Sequence, residues 1–141
     1  MRFWILAVLL LGVSLQAAVV VVPDDTFLED MTVTTSLADK KSTVVVFKNY
    51  KYQSSGGQGP FSITLTFDQN PRHVMFEQFY PDLNQRFKNK KREWTPSSSG
   101  YFDEIQSMAN DVTHALPYAA ESDKAELEQA IVLLKAEFAS K

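Results

Sequence analysis

The chain has 141 residues, 45% of them hydrophobic and 22% charged, the composition of one small globular domain and not of a disordered or fibrous chain. Lys and Arg number 14 against 17 Asp and Glu, a net charge of -3, so the overall electrostatics give no reason to expect nucleic acid as a partner. With no cysteine, disulfide scaffolds, thiolate zinc sites, iron–sulfur ligation and cysteine nucleophiles are excluded together.

Behind Met1-Arg2 an apolar run from Phe3 to Val13 leads into Ser14-Leu15-Gln16-Ala17-Ala18. A basic start, an apolar stretch and a small-residue exit read as a secretory signal peptide over residues 1–17, with one domain over 18–141. The alternative is an uncleaved anchor reaching Val22, because Phe3 to Val22 offers about 20 uncharged residues, the length that crosses a bilayer. The β-branched run Val19 to Val22 suits a first strand better than a helix and favours cleavage. Either reading puts the domain outside the cytosol, secreted or extracytoplasmic in the first case and single-pass anchored with the C-terminal domain outside in the second. Arg2 is the only charged residue of the leader, so the domain itself keeps 13 basic against 17 acidic residues. Without crosslinks it must be held together by packing alone.

Val19 to Val22 is followed by Met31, Val33, Thr35 and Leu37 alternating with Thr32, Thr34 and Ser36, the period of a half-buried strand. Thr43 to Phe47, continuing to Tyr52, reads as the next strand. Beyond the flexible loop Ser54 to Pro60, Phe61, Ile63, Leu65 and Phe67 make the cleanest amphipathic strand, and His73 to Tyr80 another after the turn Asp68 to Arg72. From Pro81 the period changes. Leu83, Phe87 and Trp94 share one face at 100° per residue, which predicts a helix with a basic end. After Thr95 to Gly100, one helical stripe runs through Tyr101, Ile105, Met108, Ala109, Val112 and Leu116 to Pro117. A second runs through Leu127, Ala130, Ile131, Leu134 and Phe138, with Ser122 as its expected N-cap. The expected fold is α+β, an antiparallel sheet of about four to five strands followed by two or three C-terminal helices packed on it.

Charge is distributed unevenly. Residues 72–92 hold six basic and two acidic side chains, and residues 101–141 hold three and eight. The basic cluster Arg86, Lys88, Lys90, Lys91 and Arg92, with Trp94, is the candidate site for a partner or anionic surface: a protein, a glycan or an anionic lipid surface, with Trp94 stacking or lying at the interface. Membrane contact is expected only through this patch or an uncleaved N-terminus. The structural alternative is that cations at a helix end are favoured by its dipole while their stems cover the apolar stripe.

Catalytic signals are weak. His114 faces away from its helix's apolar stripe, and His73 opens a strand beside Arg72. No His-x-x-x-His pair and no acidic triplet of metal-loop spacing occurs, so no metal site and no cofactor are expected. Gly56-Gly57-Gln58-Gly59 lacks the Lys-Ser/Thr of a phosphate loop, and no Gly-x-Ser-x-Gly elbow is present. The aromatic residues between Phe47 and Phe102 suggest, as a second function, a carrier with an aromatic cavity for a small apolar ligand. A small hydrolase around His73 ranks third. The sequence predicts an exported, non-enzymatic binding protein acting through a basic helix end.

Overall fold

A computed structural model of the chain describes residues 18–23, 28–38, 41–51, 60–81 and 89–141. The expected leader, the loop Ser54 to Gly59 and the segment 82–88, with Arg86 and Lys88, lie outside these residues. Among the described residues, six strands, β1 (Ala18–Val22), β2 (Leu28–Ala38), β3 (Lys41–Tyr50), β4 (Phe61–Gln69), β5 (Arg72–Phe79) and β6 (Lys90–Trp94), precede two helices, α1 (Tyr101–Ala115) and α2 (Glu121–Ala139), joined by one 3-10 turn, Leu116–Tyr118. The strands lie in chain order in a single sheet, each antiparallel to the next.

The fold is α+β, strands first and helices after, but the sheet has six strands where four to five were expected. The additional strand is β6, read from sequence as the basic end of a helix. Lys90-Lys91-Arg92-Glu93-Trp94 carries a single apolar side chain, so it has no hydrophobic alternation to announce a strand. The apparent helical stripe depended on joining Trp94 to Leu83 and Phe87. What makes it a strand is the ladder from Val74 opposite Trp94 to Gln78 opposite Lys90. Charge on both faces is ordinary at a sheet edge, where it deters pairing with other chains.

Strand alternation produces the core. Val20, Val33, Val46, Leu65 and Phe76 occupy one cross-strand row, and Ala18, Thr35, Val44, Phe67, Val74 and Trp94 the next. Both rows face the helices, which bring Tyr101, Ile105, Met108 and Val112 from α1 and Leu127, Ala130 and Leu134 from α2. These are the stripes expected from sequence, and Pro117 lies in the 3-10 turn that follows α1. The N-cap of α2 is Ala120, not Ser122, and it makes no side-chain cap bond; Glu121 and Asp123 in the first turn favour the helix dipole instead. Among the described residues, three polar ties fasten helices to sheet. The buried Thr35 hydroxyl donates to Glu126 at 3.3 Å, Lys48 pairs with Asp111 at 3.0 Å, and Arg72 Nε and the Tyr101 hydroxyl donate to the same Glu137 oxygen at 2.8 and 2.6 Å.

Gly100 sets the angle at which α1 leaves the sheet. Its φ of 92° is left-handed backbone, and a Cβ there would lie 3.4 Å from Trp94 Nε1. Gly100→Ala is therefore expected to cost about 1–2 kcal/mol, chiefly from backbone strain, in chemical denaturation. A cost below a few tenths would show that the turn relaxes freely.

Candidate binding site

Because side chains alternate along a strand, β6 divides the basic cluster between two faces. Lys90, Arg92 and Trp94 belong with Gln78, Phe76 and Val74 on the helix side, whereas Lys91 belongs with Glu77 on the outer face. The strand Lys90 to Glu93 is exposed and Trp94 is half-buried. Thus three of the six expected site residues converge, one is turned away, and Arg86 and Lys88 fall outside the described residues.

The converging side chains line a cleft of about 260 Å³ with Phe76, Gln78 and Glu104. Phe76 and Trp94 meet edge to face, with ring centres 6.3 Å apart and planes at 74°. The Gln78 amide nitrogen donates to the Tyr80 hydroxyl at 3.1 Å, which orients its carbonyl. The Tyr80 backbone N–H donates in turn to Asn89 Oδ1 at 2.7 Å, closing the return from β5 to β6. Among the described residues, no carboxylate lies within ion-pair distance of Lys90, Lys91 or Arg92, whereas Lys48, Arg72 and Lys124 each have one.

Glu104 enters from the first turn of α1. Burial pushes its carboxyl above the ordinary value near 4.5; Lys48 pulls it down, Asp103 pushes it up, Arg92 pulls it down and Asp111 pushes it up. A carboxyl whose pKa is raised by folding contributes stability that is present below its ordinary range and lost as the pH rises through the folded value. Glu104→Gln is therefore expected to raise the melting temperature at pH 7, and the advantage should fade as the pH falls through the raised folded value and be gone below about 4.5. A variant less stable than the parent at pH 7 would show that the longer-range attraction of Lys48 and Arg92 outweighs burial.

The other candidates resolve differently. His73 Nδ1 lies 2.9 Å from the Pro71 carbonyl oxygen, and Nε2 lies 3.4 Å from Asp68 and 3.7 Å from Glu93. Asp68 also accepts from the Thr43 hydroxyl at 2.7 Å. Both imidazole nitrogens thus face protein groups that brace the β4–β5 hairpin. His114 is exposed beside Tyr118. No group of three His, Asp or Glu among the described residues is close enough to hold a metal ion. Between sheet and helices, the place for the aromatic cavity of a carrier, lie the fully buried side chains of Phe67, Met31, Ile105, Met108, Leu127 and Leu134.

Of the other lining residues, Phe76 is one of the aromatics between Phe47 and Phe102 read from sequence as a possible cavity for an apolar ligand, whereas no local signal marks Gln78 or Glu104. They reach β6 only through the β5 register and the return of α1. Comparison with protein families, curated proteins and solved structures finds no match, so the site is read from its own chemistry.

Proposed function

We propose that the chain is an exported, non-enzymatic binding domain that engages anionic groups of a partner through β6. The observation that carries this reading is the placement of Lys90 and Arg92, without carboxylates in ion-pair distance among the described residues, beside Phe76 and Trp94 on the edge strand of the described sheet. A cation that merely stabilises a fold is expected to have a carboxylate partner; Lys90 and Arg92 are exposed residues with none within ion-pair distance among the described residues. The acidic helices make the molecule electrically polar, which would orient an anionic partner toward β6.

Export rests on the leader. Since β1 takes Ala18–Val22 into the sheet, with Ala18, Val20 and Val22 buried, only about 15 uncharged residues from Phe3 to Ala17 remain, short of the roughly 20 that span a bilayer. This supports a cleaved signal over an anchor.

Replacing Lys88, Lys90, Lys91 and Arg92 together with glutamine should abolish retention on immobilised heparin and on anionic vesicles in moderate salt, without lowering the melting temperature. Unchanged retention would reject the reading.

A further inference from the structure

We propose that the cleft between β5, β6 and the first turn of α1 is a subsite for an acidic sugar residue, a uronate or sulfated sugar of a polysaccharide. This rests on the anion-binding reading of β6 and narrows it.

The lining carries three kinds of group that must be satisfied at once. Lys90 and Arg92 call for an anion. The edge-to-face pair Phe76 and Trp94 offers apolar surface of the kind against which the C–H face of a pyranose packs. Glu104 and the Gln78 carbonyl call for hydrogen-bond donors, and Gln78 is already oriented by Tyr80. A simple carboxylate, a phosphodiester or a fatty acid satisfies the cations but brings its negative charge toward Glu104 with no donor to offer. A neutral sugar supplies hydroxyls and leaves the cations unused. A sugar ring bearing a carboxylate or sulfate supplies the anion, the apolar face and the donors from one rigid body, and 260 Å³ is room for one ring. Because the cleft opens at the sheet edge, neighbouring residues of a polymer could continue past it.

The decisive measurement is calorimetric titration of the protein with tetragalacturonate, maltotetraose, poly-L-glutamate and L-phenylalanine, repeated on Glu104→Gln. Trp94 and Trp4 are the only tryptophans, and Trp4 lies in the expected leader, so emission from Trp94 reports occupancy of the cleft. Tetragalacturonate should bind saturably, shift Trp94 emission, and bind at least about tenfold more tightly than maltotetraose. Glu104→Gln should weaken tetragalacturonate about tenfold while leaving poly-L-glutamate unchanged or tighter, because only the sugar donates to that carboxylate. Its melting temperature verifies that the variant is folded. The inference is overturned, with the anion-binding reading intact, if Glu104→Gln leaves tetragalacturonate binding unchanged or if L-phenylalanine occupies the cleft as tightly. If neither polyanion binds and replacing Lys90, Lys91 and Arg92 alters nothing, the broader reading fails with it.

Discussion

Phe67→Ala is expected to remove about 3–5 kcal/mol of stability, a large part of the total for a domain of this size. Phe67 is fully buried, with Val44 opposite it on β3 and Val74 on β5, beneath the helices. Strands laddered on both sides prevent the backbone from closing around the space the ring would leave, so the cavity persists. With no disulfide to hold the chain, the loss should appear as a fall of about 10–20 °C in melting temperature. Phe79 provides the control, since it is 53% exposed and its replacement by alanine should cost less than about 1 kcal/mol. Similar losses at the two positions would contradict the placement of the helices on the Phe67 face.

Glu137→Ala is expected to cost about 1–3 kcal/mol, because it strands a buried hydroxyl. The Tyr101 side chain lies at the start of α1 with its ring fully covered, and its hydroxyl donates to Glu137 near the end of α2. Arg72, opening β5, donates to the same carboxylate and to the Ser140 hydroxyl. One acidic group thus joins three elements far apart in sequence. Burial first, and the bond to Glu137 second, push the Tyr101 hydroxyl well above its ordinary value of 10. The stability this confers is complete below pH 10 and is lost as the pH rises beyond it. Denaturation of Glu137→Ala, Tyr101→Phe and the double variant should reveal coupling between the two residues. An alkaline absorbance titration should show a late tyrosine that Tyr101→Phe removes. If Glu137→Ala cost no more than Glu121→Ala, which removes an exposed first-turn glutamate beside Lys124, the three-way tie would have no energetic weight.

The candidate site itself was only partly legible. A count of charge along the chain finds Lys90, Lys91 and Arg92, because clustered cations stand out without knowledge of geometry. It cannot find that Lys91 faces away from the other two, since that depends on whether the segment is strand or helix. Glu104, which lines the cleft, looks in sequence like an ordinary acidic residue favouring a helix N-terminus.

Solvation periodicity determined the class of fold locally: Phe61 to Phe67 must place alternate residues on one face, and the stripes Tyr101 to Val112 and Leu127 to Leu134 must each bury one side of a helix. Those patterns needed no knowledge of what they would pack against. Tertiary structure alone decided β6 and the cleft, because a charged edge strand gains its order from hydrogen bonds to β5, which leave no mark on hydrophobic spacing. The meeting of Phe76, Arg92 and Glu104 likewise exists only once β5, β6 and α1 have assembled.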